Sequence, residues 1–276
     1  CKSYGDFALK NIDLTLPGGS ILGLIGENGA GKTTIIKCIL NLIRRDAGEI
    51  TLLGYDNRKE ERLAKQDVGL VLDECFFHDS LRPLDVGRIL APSYKNWDQD
   101  LYRSYLDKFG LPEKKLIKEF SRGMKMKLSL SAALAHHPRL LILDEATAGL
   151  DPVIRDEILD EFLGFIQDED HAILMSSHIT SDLEKVADYI AYIHQGEVVL
   201  SDAKDNILDS YGRVGCTAAQ LETIDPHDIL RTRRGTFGCE ALVKDRYAFA
   251  RKYPMLLVER TTLENIMLFV GKGEVK

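Results

Sequence analysis

The sequence predicts an α/β fold built around a mainly parallel β-sheet, and three observations lead to that class. Short apolar runs alternate with segments of helical periodicity over residues 1–200, which is typical of strand–helix–strand units. A glycine-rich loop joins the strand-like run Ser20–Ile25 to the first helical segment. Residues 81–135 have mostly helical periodicity, so we expect them to interrupt the sheet as an inserted lobe.

The first helical segment and the loop before it predict a phosphate-binding site. Apolar residues at helical spacing predict a helix over 32–45. The glycines free the loop backbone to wrap phosphate oxygens, and the helix N-terminus adds unpaired N–H groups. Lys32 is expected to reach the β- and γ-phosphates, and the Thr33 hydroxyl is expected to bind Mg²⁺. The expected nucleotide-binding residues are Gly26, Glu27, Asn28, Gly29, Ala30, Gly31, Lys32, Thr33 and Thr34.

The other elements follow from periodicity and turn signals. Strands are predicted in chain order at Phe7–Leu9, 12–16, 49–54, 68–72, 140–143 and 173–175, and later helices at 153–167 and 181–187. Gln195 and Gly196 indicate a hairpin between Tyr189–His194 and 197–200. We expect residues 1–203 to form the main domain and 204–276 a small α+β extension of unknown role.

Charge and cysteine usage narrow the class of function. The net charge of −7 argues against nucleic acid or an anionic membrane surface as a partner. The five cysteines are scattered without metal-ligand spacing, so a reducing, cytoplasmic setting is expected. No apolar run approaches the ~20 residues that cross a bilayer, and no signal segment opens the chain. We therefore expect a soluble chain, for which any role in transport would need a separate membrane partner. The sequence starts at Cys1, and a further strand that precedes Cys1 stays an open alternative.

Polar residues follow two of the predicted buried strands. Asp144 and Glu145 end the run at 140–143, and His178 follows the run at 173–175. Ligands in α/β sheets bind at the carboxyl ends of strands. Asp144 is therefore expected to hold Mg²⁺, Glu145 to polarise or deprotonate a water, and His178 to reach a γ-phosphate. A helix-capping acid and a structural histidine are the alternatives for these positions.

A serine and a glycine lead into a basic helical segment about twenty residues upstream of Asp144. Ser121 and Gly123 have the makings of a helix N-terminus aimed at an anion. Taken alone, the pair is better explained as an N-cap serine with a turn glycine.

The ordered set of motifs resembles a nucleotide-binding subunit of an ABC transporter over residues 3–203. The resemblance implies a P-loop NTPase fold with an antiparallel β subdomain and an α-helical subdomain. It implies that Tyr4 stacks on adenine and that Ser121 and Gly123 belong to the signature motif. It also implies that Asp151 contacts a dimer partner and that Glu145 and His178 are catalytic with Lys32.

The chain departs from the family pattern in three places. Asp73 occupies the position of a glutamine that contacts Mg²⁺ and the attacking water; we take it as the functional equivalent, with a surface loop acid as the alternative. Arg122 replaces a signature glycine, where it either adds charge at a phosphate or faces solvent. Residues 204–276 match no general family element.

The resemblance implies an ATP- and Mg²⁺-dependent ATPase that works as a homodimer or as a heterodimer with another ABC ATPase subunit. It is expected at the cytoplasmic face of the membrane, bound to a separate permease. The expected activity is export of a peptide, antibiotic or lipid-like compound, and nucleic acid is not an expected partner. The alternatives are a soluble ABC ATPase acting on ribosomes or DNA, and a regulatory module that binds ATP without hydrolysing it.

Overall fold

The computed structural model describes residues 1–235 and 238–273, and its first third contains the loop and two small hairpins. The elements are β1 (Lys2–Tyr4), β2 (Phe7–Leu9), β3 (Ser20–Ile25), α1 (Lys32–Ile39), β4 (Thr51–Leu52), β5 (Tyr55–Asp56), α2 (Glu61–Gln66) and β6 (Val68–Val71). β1 pairs antiparallel with β2, and β4 with β5. These pairs lie outside the main sheet, in agreement with the expected antiparallel subdomain.

The helical lobe follows β6. It contains α3 (Pro83–Leu90), α4 (Gln99–Lys108) and α5 (Arg122–Leu134), with short 3₁₀ turns at Ala91–Ser93 and Ile117–Glu119. The Asp98 side chain caps α4 by accepting from two backbone N–H groups. The buried ring of His136 lies 3.2 Å from the Val68 carbonyl oxygen. This contact fastens the end of α5 to the first residue of β6.

The chain then completes the central sheet. The elements are β7 (Leu140–Asp144), α6 (Pro152–Phe165), β8 (Ala172–Ser177), α7 (Thr180–Val186), β9 (Tyr189–His194) and β10 (Glu197–Ala203). The strand order is β10-β9-β3-β8-β7-β6, and all neighbours are parallel except β9 and β10. The carboxyl ends of β3, β6, β7 and β8 therefore share one edge of the sheet, which is where the predicted site residues lie.

Alternate side chains of the same strands enter two different cores. Ile21 and Ile25 belong to one cluster, with residues of the lobe, α6 and α7. Leu22 and Leu24 belong to the other, with α1 and the small hairpins. This two-residue period is the geometry of a strand covered on both faces. The sheet is thus packed between two apolar layers. This packing holds in place the sheet edge at which the predicted site residues lie.

The last part of the chain forms a second sheet. Its elements are α8 (Lys204–Ser210), β11 (Gly212–Cys216), α9 (Ala218–Thr223), β12 (Arg231–Gly235), β13 (Gly238–Val243), α10 (Arg246–Lys252), β14 (Val258–Arg260) and α11 (Leu263–Lys272), with a 3₁₀ turn at Pro226–Asp228. The antiparallel strand order is β12-β13-β11-β14. We call residues 204–273 the appendage.

The final helix leaves the appendage sheet and packs on the main domain. The Leu263 backbone N–H donates to Glu184 Oε1 at 2.8 Å, and the Tyr192 hydroxyl donates to the Met267 carbonyl at 3.3 Å. Phe269 is fully buried in the same cluster as Ile21. The appendage and the main domain therefore share a core through α11.

Three predicted elements differ from the structure. Residues 12–16 lie outside the strands; their apolar side chains pack partly buried against the second cluster without strand pairing. The helix at 32–45 ends at Ile39, because Asn41 takes a left-handed backbone conformation with φ of 51°. The strand at 49–54 shrinks to Thr51–Leu52, since Leu53 also turns left-handed.

The helices of the described ranges are all too short or too polar to cross a lipid bilayer.

Candidate active site

The glycine-rich loop leaves the carboxyl end of β3, and two of its glycines are required by close packing. A Cβ atom on Gly26 would lie 2.4 Å from the Ile193 carbonyl oxygen of β9. Gly31 has a φ of 116°, and a Cβ there would lie 2.6 Å from Leu9 Cδ2. Such distances are sterically forbidden, and a positive φ is costly for other residues. The loop is therefore held against β9 on one side and against the β1–β2 hairpin on the other.

Lys32 opens α1 and turns its ammonium group back over the loop. The residue is 6% exposed. Its Nζ donates to the Gly26 carbonyl at 2.7 Å and to the Glu27 carbonyl at 3.3 Å. Thr33 is exposed on the same first turn, and Thr34 is half-buried. A buried cation and an exposed hydroxyl thus stand together at the N-terminus of α1.

Asp144 and Glu145 emerge from β7 beside Ser176 of β8. The Ser176 hydroxyl donates to Asp144 Oδ1 at 2.5 Å. The Glu145 backbone N–H donates to the Ser176 hydroxyl and to its carbonyl oxygen, each at 3.1 Å. Glu145 has a φ of 53°, a strained conformation for a non-glycine residue of the kind found at functional sites. Ser176 therefore fixes both acids, a role that the sequence-based reasoning did not assign although the serine lies two residues before His178.

Glu145 contacts two of the predicted catalytic side chains. Its Oε1 lies 3.4 Å from Lys32 Nζ, and its Oε2 lies 2.6 Å from His178 Nδ1. The His178 backbone N–H also points at Oε2, at 3.4 Å. The Glu145 side chain is 17% exposed and that of His178 is 47% exposed. One carboxylate, half-enclosed at the edge of the sheet, therefore joins the glycine-rich loop to the end of β8.

Asp73 lies two residues past β6, which pairs with β7 so that Val71 faces Leu143. Its exposed side chain is thus carried on the neighbouring strand exit to Glu145. Tyr4 is 43% exposed in β1, and Lys2 Nζ lies 5.0 Å from its ring centre. Its hairpin partner Phe7 reaches the loop, because the Phe7 ring would lie 3.0 Å from a Cβ on Gly31.

Residues 121–123, the predicted signature segment, contact the first turn of α6 in the same chain. The Ser121 hydroxyl caps α5 by accepting from the Met124 N–H at 3.2 Å. A Cβ on Gly123 would lie 2.5 Å from Ile154 Cδ1. Asp151 caps α6 by accepting from the Val153 and Ile154 N–H groups, each at 3.1 Å. In this structure both Ser121 and Asp151 are thus helix caps.

Arg122 lies on Gly149. A Cβ on that glycine would be 2.9 Å from Arg122 Nη1 and 3.0 Å from its Cζ. The side chain is thus packed over the loop that follows Glu145. Of the two sequence-based alternatives, neither includes this contact, because nothing in the local sequence shows which loop faces the start of α5.

The oxygen atoms available at the site fit Mg²⁺, a cation that nucleotide phosphates also bind. Among the residues the structure describes, no three His, Cys, Asp or Glu side chains group together as a self-sufficient metal site. The site offers one buried carboxylate, Asp144, and the Thr33 hydroxyl on the neighbouring element. Mg²⁺ typically takes one or two protein oxygens together with substrate phosphates and waters, so these residues fit it.

Comparison with known proteins places this geometry in a family. Residues 9–148 match the ABC transporter family model. The lantibiotic transport ATP-binding protein SrtF of Streptococcus pyogenes is 34% identical, over 74% of this chain and 88% of its own length. The linearmycin resistance ATP-binding protein LnrL of Bacillus subtilis is 35% identical, over 80% of this chain and 72% of its own. The bacitracin transport ATP-binding protein BcrA of Enterococcus faecalis is 34% identical, over 72% and 65%.

Solved structures agree with this assignment. An ATP-binding subunit of an ABC transporter superposes with a TM-score of 0.67 at 27% identity, over 72% of this chain and 85% of that one. An ATP-binding cassette bound to ADP and Pi, at 19% identity, shares the fold with a TM-score of 0.64 over 71% of this chain and 90% of that one. With the family model spanning half of the sequence and the relatives three quarters of it, the chain belongs to the ABC transporter family, as an ATP-binding subunit with the P-loop ATPase fold.

Proposed function

We propose that the chain hydrolyses ATP at the edge of the central sheet and that this reaction drives export through a separate membrane permease. The observation that carries the proposal is that the Glu145 carboxylate contacts both the Lys32 ammonium group and the His178 ring. A cation, a base and a histidine at the mouth of a glycine-rich loop are the groups that phosphoryl transfer to water needs.

Phosphate binding falls to the loop and to α1. The backbone N–H groups of residues 26–34 and the positive end of α1 favour the anionic phosphates. Lys32 pairs with Glu145 at 3.4 Å in this structure, and a γ-phosphate would compete for its ammonium group. ATP binding would thereby release Glu145 from Lys32, so the base becomes available only when substrate is present.

Thr33, Asp144 and Asp73 are the residues proposed to hold Mg²⁺. Bound there, the cation neutralises charge on the phosphate oxygens. Ser176 holds Asp144 Oδ1 at 2.5 Å and so orients the carboxylate. Asp73 in place of glutamine brings an additional negative charge, and we expect it to alter the metal dependence of the reaction.

Glu145 is the proposed general base. The oxygen of a water molecule attacks the γ-phosphorus, the bond to the β–γ bridging oxygen breaks, and Glu145 takes the proton. His178 contacts Oε2 of the same carboxylate at 2.6 Å, which would hold Glu145 toward the water. Most of the remaining catalysis is charge neutralisation by the loop.

A second ATPase subunit is the proposed partner that completes each site. Ser121 and Gly123 would reach the γ-phosphate bound by the partner, Asp151 would contact the partner's loop, and Tyr4 would stack on adenine. Residues 121–123 begin a helix of 13 residues, whose N-terminus suits an anion. Because the two halves of the site lie on different molecules, turnover would require a homodimer or a heterodimer with another ABC ATPase subunit.

The permease is proposed to dock on the lobe and on the segment after Asp73. Phe76 in this segment is 72% exposed, and Ile89 of α3 is 57% exposed. Side chains of this kind suit burial against a membrane protein. The chain would then lie at the cytoplasmic face of the membrane through its permease.

Export of a peptide, antibiotic or lipid-like compound is the proposed task. The similar proteins named above act in lantibiotic transport, bacitracin transport and linearmycin resistance. These names favour transport over the alternative of an ATPase acting on ribosomes or DNA.

Substitution of the proposed base tests the site. We expect Glu145→Gln to reduce ATP hydrolysis by at least ~10²-fold while ATP binding persists, so that a nucleotide-bound dimer accumulates in size-exclusion chromatography. Glu169→Gln is the control, because Glu169 precedes β8 at the opposite edge of the sheet. A Glu145→Gln protein that is fully active as a monomer would contradict both the base and the dimer.

The transport proposal has its own test. A strain lacking this gene is expected to become more sensitive to a panel of peptide antibiotics and to regain resistance with the native gene but not with Glu145→Gln. Unchanged sensitivity in a strain whose purified protein hydrolyses ATP would refute the substrate class and leave the ATPase site standing.

A further inference from the structure

Cys216 and Cys239 face each other across the appendage sheet. They are Cα partners in the antiparallel pairing of β11 with β13, and both are thiols in this structure. Opposed residues of an antiparallel pair have Cα atoms about 4.5 or 5.5 Å apart, and disulfides span about 4.4–6.8 Å. We propose that the two thiols form a reversible intramolecular disulfide, a redox modification site whose co-reactant is a hydroperoxide.

The pair lies on the apolar face of the sheet. Val214 and Ala241, which alternate with the cysteines along the two strands, pack in the same buried cluster as Cys239 and Phe249. Opposed Cβ atoms are typically about 4.5–5.5 Å apart, whereas a disulfide needs about 3.5–4.5 Å. Only a small local approach of the strand ends is therefore required for the bond.

The two thiols differ in access, which sets the order of the reaction. Cys239 is 6% exposed and Cys216 is half-buried. The more accessible thiol of a pair usually reacts first and the second then resolves it. The Cys216 sulfur would attack the peroxide, breaking the O–O bond to give a sulfenic acid and one alcohol or water molecule. The Cys239 sulfur would then attack the Cys216 sulfur, forming the S–S bond and releasing the sulfenic hydroxyl as one water molecule, so that two thiols are oxidised while one peroxide is reduced.

The bond would join the last residue of β11 to β13. It would enclose residues 217–238, which carry α9 and β12. β12 also contacts the final helix, since the Arg233 guanidinium lies 5.7 Å from the Phe269 ring centre. Oxidation would thus restrict the strands on which α11 rests, whereas the reduced thiols would leave these strands without a covalent link. Among the strands the structure describes, no other two cysteines are paired in register.

Oxidation of the purified full chain tests the proposal directly. The protein is treated with hydrogen peroxide at low concentration, alkylated with iodoacetamide, digested and analysed by mass spectrometry. We expect a cross-linked peptide pair containing Cys216 and Cys239, lighter by two hydrogen atoms and cleaved by dithiothreitol. Cys75→Ser should give the same cross-link, because Cys75 lies outside the sheet. Full alkylation of Cys216 and Cys239 under conditions that consume the exposed Cys1 would overturn the proposal.

Single variants test the order of the two steps. In Cys239→Ser, which lacks the resolving thiol, we expect dimedone to trap a sulfenic acid at Cys216. In Cys216→Ser, Cys239 should remain alkylatable after unfolding, because it is shielded from peroxide in the folded sheet. Circular dichroism of both variants checks that they fold. Sulfenic acid at Cys239 in the folded Cys216→Ser protein, without any at Cys216 in Cys239→Ser, would reverse the assigned roles.

Discussion

At the scale of single residues, Glu145 is the point on which the site is organised. Its backbone is strained and held by Ser176, while its carboxylate spans the gap between Lys32 and His178. Strain of this kind costs of order 1–3 kcal/mol, and it is tolerated where surrounding contacts fix it. The two contacts of this one carboxylate bring the loop, β7 and β8 together at the proposed site.

His178 should affect catalysis more than nucleotide binding. We expect His178→Ala to lower kcat by about 10²-fold or more, because the variant loses the group that holds Glu145 Oε2. Affinity for ATP should change little, since His178 contacts Glu145, the proposed base, rather than the loop. Steady-state hydrolysis and fluorescent-nucleotide titration measure the two quantities. The control is His227→Ala, whose side chain is 95% exposed in the appendage; equal kcat values in the two variants would refute the role.

Asp182 predicts a pH-dependent stability of the fold. Burial raises the pKa of its carboxyl, against the lowering effects of the nearby Thr147 hydroxyl and Arg155 guanidinium. The folded protein therefore holds this proton to higher pH than the unfolded chain, so the residue costs stability as pH rises above about 4. We expect Asp182→Asn to gain stability over the native protein between acid and neutral pH, measured by urea unfolding.

Asp46 is the matched control with the opposite sign. The Ser3 backbone N–H, and after it Lys2, lower the pKa of this exposed carboxyl. Its stabilisation is present above the unfolded pKa and is lost as pH falls through the folded value. Asp46→Asn should therefore be less stable than the native protein at neutral pH, with the difference vanishing in acid. The same trend for both variants would contradict the assignment for Asp182.

At the scale of elements, the glycine-rich loop and the starts of α5 and α6 depend on close packing between distant residues. Short sequence motifs do not reveal this packing. Gly31 is fixed by Leu9 and Phe7 of the β1–β2 hairpin, and Gly123 by Ile154 of α6. Arg122 lies over Gly149, so the signature segment and the loop after Glu145 are packed together within one chain. A displacement of the segment that begins α5 is therefore expected to displace the loop after Glu145, and the reverse.

Gly31→Ala should weaken both the fold and ATP binding. The new methyl would overlap Leu9 at 2.6 Å and would require a φ of 116°, and overpacking alone typically costs about 1–3 kcal/mol. Displacement of the hairpin would disturb the start of α1, so nucleotide affinity should also fall. Thermal unfolding and ATP titration measure the two effects.

Gly164→Ala is the control for that substitution. Gly164 lies within α6, and a Cβ there would have open space around it. Alanine is favoured over glycine in a helix by about 0.5–1 kcal/mol, so this variant should unfold at a higher temperature. A Gly31→Ala protein that is as stable as Gly164→Ala would show that the hairpin does not constrain the loop.

At the scale of the whole molecule, α11 joins the appendage to the ATPase domain. The predicted boundary between residues 203 and 204 separates two sheets, but the core crosses it through Leu263, Ile266 and Phe269. The Leu263 N–H is held by Glu184 at the end of α7, a helix that begins two residues after His178. The appendage is thus in physical contact with the helix next to the site.

Phe269→Ala should therefore destabilise both parts of the protein together. Loss of a fully buried phenylalanine costs about 3–5 kcal/mol, and the cavity would open against α7 and β9. We expect the unfolding midpoints of the main domain and of the appendage to fall together. The midpoint of the main domain is followed by fluorescence in the presence of nucleotide. Met255→Ala is the control, because Met255 is 91% exposed in the same region. Loss of the appendage transition alone would show that the two parts fold independently.

Much of the fold was predictable because strands buried on both faces have continuous apolar runs. Ser20–Ile25 and the runs at 140–143 and 173–175 were identified in this way, and each lies in the central sheet. The failure at 12–16 arises because alternation shows which side chains are buried but not whether a partner strand is present. The strand at 49–54 does pair, with β5, and it is cut short by the left-handed Leu53. The end of α1 was missed because a left-handed Asn41 has no apolar signature.

The sequence by itself determined the chemistry of this protein: the glycine-rich loop, the acids after a buried strand and the histidine after another are local patterns whose residue types fix what they can bind. Only the tertiary structure decided which of these groups touch, because contacts such as Glu145 with Lys32 and His178 join residues far apart in the chain. The strand order β3-β8-β7-β6 brings them to one edge. The same holds for Arg122 on Gly149, Cys216 opposite Cys239 and α11 on α7, since packing between distant elements leaves no mark in the sequence next to either one.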